Sequence, residues 1–154
     1  ALEVIEITGR PFSASLPRYE DIAPTVHIAL RCERRLLDKR INDRARAMFD
    51  GGLVEEVEDL IDQGIREGET APRAIGYAQA LAVIDGTMSV PEAVDSTALA
   101  TRQLASRQIK WFRRDPRLHW IDVALTETGQ CTDSERSRLT RQAWELVCTR
   151  RGVA

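Results

Sequence analysis

The stretch ATRQLASRQIKWFRR, residues 100–114, holds five cationic side chains and no carboxylate. The cations are Arg102, Arg107, Lys110, Arg113 and Arg114. Guanidinium and ammonium groups that lack carboxylate neighbours are suited to phosphate oxygens, because charge-assisted hydrogen bonds are stronger than neutral ones. The whole chain has 22 Lys+Arg against 24 Asp+Glu, a net charge of −2. Any attraction to polyanions must therefore come from local clustering.

Helical spacing sorts this stretch into two faces. The polar and cationic face contains Gln103, Arg107, Lys110 and Arg114, with Arg102, Ser106 and Arg113 beside it. The apolar face, which we expect to pack on the core, contains Ala98, Ala105, Ile109 and Phe112. The cationic face fits nucleic acid or phosphate. It also fits a surface helix that is neutralised by acidic helices such as VEEVEDLID at 54–62.

A second pair of cations, Arg40 and Arg44, is spaced one helical turn apart. Two guanidinium groups at this spacing repel each other unless an anion or a carboxylate lies between them. Asp38 and Asp43 are near enough in sequence to supply carboxylates. The pair is therefore either an anion site or part of a salt-bridged helix, and the sequence leaves both readings open.

The third candidate is the segment PRAIGYAQ at 72–79. Pro72 suits the first position of a helix, so Arg73 is expected at a helix start, where backbone N–H groups favour an anion. Tyr77, one turn further on, could stack on a base. The alternative is that Tyr77 is a core residue of a helix rich in small side chains.

No established catalytic motif accompanies these cations. The forms GxxxxGK[ST], GxSxG and HExxH do not occur in the chain, and no acids are paired for general acid chemistry. The three cysteines form no CxxC and have only two histidines to help them, so we expect no zinc site and a reducing, cytoplasmic environment. No apolar run approaches the ~20 residues that span a bilayer.

The rest of the pattern predicts one mostly helical domain. We expect short strands at about 25–32 and 118–124, and five to six helices. The near-continuous apolarity of VHIALRC at 26–32 favours a buried strand, and two such strands need further sheet partners. The opening segment ALEVIEITGRP reads as the end of a helix, with Leu2 and Ile5 on one face, Gly9 as its C-terminal cap and Pro11 beyond. We therefore expect the chain to be a fragment.

Four segments together resemble a known family. RPFSASLP, RINDRARAMFDGGLVEEV, PRAIGYAQAL and ATRQLASRQIKWFRRDPRLHWID are similar to the C-terminal half of bacterial tRNA dimethylallyltransferases, also called tRNA isopentenyltransferases. The resemblance covers about residues 1 to 123, and no motif in the last thirty residues belongs to it. It implies an α/β protein, the mostly helical C-terminal part of a P-loop NTPase-like three-layer fold.

The resemblance also implies a domain organisation. Residues 1–124 would be the C-terminal part of the transferase core, and 125–154 a tail helix. The phosphate-loop half, a general-base Asp and a helical insertion would lie upstream of Ala1. Without those parts, we expect this polypeptide alone to be inactive.

The function implied by the resemblance is tRNA modification. A dimethylallyl group would pass from dimethylallyl diphosphate to N6 of adenosine 37, in tRNAs that read codons beginning with U. Mg²⁺ would assist, held mainly by the absent half. The tRNA anticodon stem-loop would be the partner of a cytoplasmic monomer. Other readings are a non-catalytic helical nucleic-acid-binding module, and a helical domain whose basic face meets an acidic protein.

Site residues follow from the matched motifs. Arg44 in RINDR would contact the diphosphate and stabilise the charge that forms as the C–O bond breaks, with Arg40 as a further diphosphate contact. Ser106 stands where the family commonly has Lys, so one phosphate contact is expected to be missing. The residues implied to contact tRNA are Arg66, Arg73, Ala100, Thr101, Arg102, Gln103, Arg107 and Lys110. No metal ligand is expected in this chain.

Overall fold

The computed structural model describes residues 5–7, 9 and 19–151, and within 19–151 it contains two strands and five α-helices. The elements, in chain order, are β1 (His27–Arg31), α1 (Arg34–Asp50), α2 (Leu53–Ile61), two 3₁₀ helices (Ile65–Glu67 and Ala71–Arg73), α3 (Tyr77–Ile84), α4 (Val90–Phe112), β2 (Leu118–Asp122) and α5 (Asp133–Arg151). The mostly helical α/β class is confirmed. None of the helices described is long and apolar enough to cross a membrane.

The two strands form a parallel pair, in register from His27 opposite Leu118 to Arg31 opposite Asp122. Both lie within the predicted ranges and are shorter than predicted. Parallel neighbours require a long crossover connection. Here the crossover is the segment from α1 to α4, so the helices that hold the candidate cations are anchored to the sheet at both ends.

Ion pairs fix the segments that enter the two strands. Asp21 lies 2.8 Å from Nε2 of His27 at the start of β1, and 2.6 Å from Nη1 of Arg117 just before β2. Arg117 also donates to Asp115 at 2.7 Å, and this hydrogen bond from Arg117 lowers the pKa of Asp115 to about 2. These contacts hold the amino ends of both strands together.

The prediction that the first strand is buried is wrong for the structure described. His27, Ile28 and Ala29 are half-buried, whereas Leu30 is 60 % exposed and Arg31 is exposed. The reason is that β1 has β2 as its one hydrogen-bonded neighbour within the described residues.

The main hydrophobic core lies where the end of α1, α2, α3 and the start of α4 meet. Its buried members are Phe49, Leu53, Val57, Ala80, Leu81 and Ala93. A smaller cluster of Ile41, Ala45 and Ala98 joins α1 to α4. Ile41 and Ala45 lie one helical turn apart, and both are buried on the side of α1 that faces α4.

Helices α1 and α4 pack against each other in opposite directions. Arg34 Nη1 donates to Ser106 Oγ at 2.8 Å near the start of α1, and Ala45 lies with Ala98 in the small cluster further along. Both alanines are only 3 % exposed. Their small side chains allow the two backbones to approach closely, as ridge-and-groove packing requires.

Helix α4 begins after a capping residue. Ser89 is its N-cap, and the Ser89 N–H donates to Glu92 Oε2 at 2.8 Å in a capping box. Of the predicted core face, Ala98 is buried, while Phe112 is 38 % exposed, so the prediction is wrong for Phe112. The Phe112 ring packs edge to face on Trp111 instead, with 5.0 Å between the ring centres.

The position of Gly9 tests the predicted end of the first helical segment. Gly9 has φ +63°, and its N–H donates to the carbonyl of Ile5 at 2.8 Å, which confirms its place after the helical residues 5–7. Leu2 and Pro11, and with them the segment RPFSASLP, lie outside the described residues.

Helix α3 begins at Tyr77, later than predicted. Pro72 and Arg73 form part of a 3₁₀ helix instead, and Gly76 follows with φ +100°. This left-handed conformation interrupts the helix. Arg73 therefore does not lie at an α-helix N-terminus, and the dipole argument for an anion at Arg73 is wrong.

Gly76 provides a stability prediction. A Cβ at this buried position would lie 3.2 Å from Met48 Cε and 3.5 Å from Leu53 Cδ2, and it would be strained at φ +100°. We expect Gly76→Ala to lower the free energy of unfolding by about 1–3 kcal/mol, measured by urea denaturation. The matched control is Gly86→Ala, where φ is +68° but no atom lies within 4 Å of the added Cβ. If Gly76→Ala lowers the free energy of unfolding no more than Gly86→Ala does, the contacts of the added Cβ with Met48 and Leu53 are unimportant.

Candidate functional site

A cavity of about 540 Å³ lies between α1 and the segment that leads into α5. We call it the arginine cup. Its three cations are Arg40, Arg44 and Arg136. The remaining lining residues are Asp43, Ala47, Thr128, Gly129, Gln130 and Cys131.

The carboxylates that could have neutralised α1 are paired with other cations. Asp38 accepts from Arg34 at 2.8 Å, and Asp43 accepts from Lys39 at 2.6 Å. The two arginines that α1 contributes to the cup have no ion pair within the described part of the chain. Of the two readings that the sequence left open, the geometry favours the anion site.

The opposite wall of the cup is a loop held close to α1. The carbonyl of Gly129 accepts from Arg40 Nη1 at 3.5 Å, and a Cβ on Gly129 would lie 3.5 Å from Arg40 Cβ. Arg136 donates to the carbonyl of Cys131 at 3.2 Å and pairs with the exposed Asp133. Sequence reasoning missed Arg136, because no local pattern links it to residues of α1 that lie more than ninety positions earlier.

An apolar groove of about 690 Å³ adjoins the cup and shares Arg40, Cys131 and Arg136 with it. It lies between the strand pair, the second half of α4 and α5. Its hydrophobic lining includes Ile28, Ala29, Leu30, Leu37, Ala105, Ile109, Phe112, Leu118, Trp120, Val123, Leu125 and Leu139. Burial raises the pKa of the Cys32 thiol in the same lining, so the thiol stays neutral. A ligand with an anionic head and an apolar tail would match the two cavities together.

A buried carboxylate holds α5 and the loop wall in place. Glu135 is 9 % exposed, and it accepts from the backbone N–H of Ala124 at 2.8 Å and from Arg138 at 2.6 Å. Arg138 also donates to the carbonyl of Asp122, the last residue of β2, at 2.6 Å. Arg138 first, and then the Ala124 N–H, lowers the pKa of Glu135 to about 2. This contact ties the first turn of α5 to the strand end.

The second group of cations lies on α4. We call Gln103, Arg107, Lys110 and Arg114 the cationic face, and all four are exposed. Their three cations form no ion pair with any residue that the structure describes. The acidic helix α2 packs against α3 instead. The reading in which acidic helices neutralise this face is therefore not supported.

Sequence reasoning also missed Trp111. Its side chain is 66 % exposed, and it lies four residues after Arg107 and three before Arg114. This spacing puts the indole on the cationic face, and the spacing itself was the signal available. Aromatic rings among cations provide stacking surfaces for bases in single-stranded nucleic acids.

Other residues of α4 that were predicted to contact tRNA are engaged within the protein or partly buried. Thr101 donates to the carbonyl of Thr97 at 2.8 Å, Arg102 donates to Asn42 on α1, and Ala100 is half-buried. At Ser106, where one phosphate contact is expected to be missing, the Arg34 guanidinium lies 2.8 Å from the Ser106 hydroxyl. A cation from α1 thus lies at that point of the surface.

Arg66 and Arg73 belong to a different part of the molecule. They lie on the two 3₁₀ helices, which contact each other and pack on α2 and α3. Arg66 is paired with Asp85 at 2.7 Å, whereas Arg73 is exposed. The Tyr77 hydroxyl donates to Glu56, which raises the pKa of Tyr77, and its ring packs against the main core. The geometry therefore favours the core reading of Tyr77.

Comparison with solved structures defines the class of protein. A tRNA isopentenylpyrophosphate transferase from Bacillus halodurans matches with a TM-score of 0.70 at 30 % identity, over 99 % of this chain and 45 % of that one. A tRNA delta(2)-isopentenylpyrophosphate transferase from Staphylococcus epidermidis matches with a TM-score of 0.63 at 31 % identity, over 79 % of this chain and 38 % of that one. The fold is that of the P-loop NTPase-like transferases.

Sequence comparison gives the family. The IPP transferase family model matches residues 1–115, and the chain belongs to this family. A tRNA dimethylallyltransferase from Kineococcus radiotolerans is 54 % identical over 79 % of this chain and 38 % of the relative. One from Mycobacterium tuberculosis is 46 % identical over 95 % of this chain and 46 % of the relative. The chain spans less than half the length of these curated relatives.

The Glu135 contact predicts a pH dependence. Its folded-state pKa of about 2 lies below its ordinary value of 4.5, so its contribution is complete above 4.5 and is lost as the pH falls toward 2. We expect Glu135→Gln to make the free energy of unfolding less dependent on pH within this interval. The control is Glu145→Gln, an exposed position on the same helix, which should keep the wild-type dependence. Identical pH profiles for wild type and Glu135→Gln would disprove the role of the carboxylate.

Proposed function

We propose that this chain supplies the diphosphate-binding and RNA-binding surfaces of a tRNA dimethylallyltransferase. The reaction would move a dimethylallyl group from dimethylallyl diphosphate to N6 of adenosine 37, in tRNAs reading codons that begin with U. The observation on which this proposal rests is that the arginine cup opens onto an apolar groove. The names of the relatives, tRNA dimethylallyltransferases, support it.

The cup suits the diphosphate head of the donor. Guanidinium groups form paired hydrogen bonds with phosphate oxygens, and three of them line the cup. In the transfer, the C1–O bond would break and its electrons would go to the diphosphate, while N6 bonds to C1 and gives its proton to the general-base Asp that the family resemblance implies elsewhere in the full-length protein. Arg44 and Arg40 would stabilise the charge that forms on the leaving oxygen, which is the step where electrostatic stabilisation lowers the barrier.

The apolar groove suits the five-carbon tail. Burying hydrocarbon contributes about 0.8 kcal/mol per carbon group, so the tail would gain roughly 3–4 kcal/mol from a dry groove. Ile109 from α4 and Leu139 from α5 line the groove on the side that the two helices form. The shared residue Arg40 lies where the two cavities meet, which is where the reacting C1 atom would be placed.

The cationic face of α4 suits the RNA partner, an anticodon stem-loop. Arg107 and Lys110 would contact backbone phosphates, and Trp111 could stack on an unpaired base. Arg73, exposed on its 3₁₀ helix, would add a contact from a second segment. Holding the stem-loop at the backbone would leave the target base free to leave its stack and enter the site.

The resemblance implies Mg²⁺ as well. Within the described residues no three His, Cys, Asp or Glu side chains group as metal ligands, so these residues do not fit an ion site. None of the steps proposed here passes through the metal. We propose that the protein acts in the cytoplasm as a monomer, and its three free cysteines are consistent with a reducing compartment.

Arg44 tests the donor site. In the full-length protein we expect Arg44→Ala to weaken dimethylallyl diphosphate binding by about 10- to 100-fold, because a hydrogen bond to a charged group is worth about 1.5–3 kcal/mol. Calorimetric titration measures the affinity, and stem-loop RNA affinity should not change. The control is Arg46→Ala, an exposed arginine about 200° around the same helix. Equal losses for both variants would exclude a specific cup.

Arg107 tests the RNA surface. We expect Arg107→Glu to weaken binding of an anticodon stem-loop at least ten-fold at about 0.1 M salt, because one phosphate contact is lost and a repulsion is gained. Fluorescence anisotropy measures the affinity, and dimethylallyl diphosphate binding should be retained. The control is Arg141→Glu on α5, which makes the same charge change away from the cationic face of α4 and should leave the RNA affinity unchanged.

Two outcomes would favour the other readings. RNA binding that depends on Arg107, without any diphosphate binding by the wild-type protein, would indicate a non-catalytic nucleic-acid-binding module. Stronger binding of an acidic peptide than of RNA would indicate a protein-interaction domain.

A further inference from the structure

A second cationic cavity, of about 610 Å³, lies where β1 ends beside the second half of α4. We call it the strand-end groove. Its four cations are Arg31, Arg34, Lys110 and Arg113. The other lining residues are Cys32, Leu37, Ser106, Ile109 and Trp120. It shares no lining residue with the arginine cup. It adjoins the apolar groove, and the two have Arg31, Cys32, Leu37, Ile109 and Trp120 in common.

Two of the four cations are held in position. The Arg31 guanidinium binds Asp122 through two hydrogen bonds, of 2.5 and 3.0 Å. Arg34 is fixed by Asp38 at 2.8 Å and by Ser106 at 2.8 Å. Both carboxylates approach from outside the groove, because neither is part of its lining. These arginines are therefore preorganised, and they keep donor groups at the groove wall.

The other two cations have no carboxylate partner. Lys110 and Arg113 are exposed and form no ion pair with any residue in the described ranges. No Asp or Glu lines the groove among those residues. Lys110 and Arg113 are therefore like charges without a carboxylate partner at one cavity, and a bound anion would relieve their repulsion.

The location of the groove identifies the kind of anion. Arg31 is the last residue of β1, and open α/β sheets bind ligands beyond the carboxyl ends of their strands. Lys110 belongs both to the groove and to the cationic face of α4, so the two surfaces are continuous. A backbone that follows α4 would pass from one to the other, whereas a small free phosphate would need only one of them.

We propose that the strand-end groove binds a phosphate group of the substrate RNA backbone, with the attached nucleoside beside Trp120. Lys110 and Arg113 bind the phosphate. Arg34 of α1 provides a cation beside Ser106, the position on α4 where the family commonly has Lys. The proposal rests on the proposed RNA-binding function and extends its footprint from α4 to α1 and the end of β1.

Arg113 provides the test in the full-length protein. We expect Arg113→Ala to weaken stem-loop RNA binding by about 3- to 10-fold and to reduce the slope of log affinity against log salt by about one. Dimethylallyl diphosphate affinity should stay at the wild-type value. The control is Arg141→Ala, an exposed arginine on α5 with no ion pair among the described residues, which should keep the wild-type slope. An unchanged slope for Arg113→Ala would overturn the proposal.

Trp120 reports on the occupant. RNA binding should change the tryptophan emission of the wild-type protein more than that of Trp120→Phe, because this indole lines the groove. The measurement is made without dimethylallyl diphosphate, because Trp120 also lines the apolar groove proposed for the donor tail. Inorganic pyrophosphate is the second arm. If pyrophosphate reproduces the Trp120 signal and RNA does not, the groove is a small-anion site and the proposal fails.

The two proposals fail differently. Loss of RNA binding in Arg107→Glu with a wild-type response in Arg113→Ala would leave the proposed function intact and remove only the groove. Absence of stem-loop binding by the wild-type protein would remove both.

Discussion

The close antiparallel packing of α1 on α4 is the constraint on which the rest of the structure depends. Ala45 and Ala98 are almost fully buried at this contact, and larger side chains would push the helices apart. The same packing brings Arg34 onto Ser106, while Arg40 and Arg44 of α1 line the cup and the cationic face of α4 stays exposed. Both cationic surfaces therefore result from one helix pair, anchored by the strands that precede and follow it.

The uneven use of carboxylates explains why a slightly acidic chain has strongly cationic surfaces. Several acids stabilise the frame: Asp21 and Asp115 bind Arg117 before the strands, and Glu135 binds Arg138 after them. These carboxylates lower the freedom of loops at both ends of the sheet. Because they are bound there, they cannot neutralise α4, whose cations remain available to ligands.

Local sequence signals predicted most helices and strands, whereas the residues that share a cavity are decided by tertiary contacts. The start of α4 at Ser89 is a local signal of this kind, because capping is a short-range interaction. The break at Gly76 was missed because Pro72 gave an equally good local signal for a helix start. Arg136 could not be assigned to the cup from sequence, because its neighbours in the cup come from α1 through folding alone.

Separating the two anion sites has a chemical consequence in the proposed reaction. A transferase must hold an anionic donor and an anionic acceptor at once, and a single cluster of arginines would bind one at the expense of the other. The cup is bounded by the Gly129 loop, whereas the face around Arg107 is open. The bounded cup suits a small diphosphate, whereas the open face suits a long RNA backbone. The geometry thus allows both substrates to be bound together while the leaving diphosphate keeps its own cations.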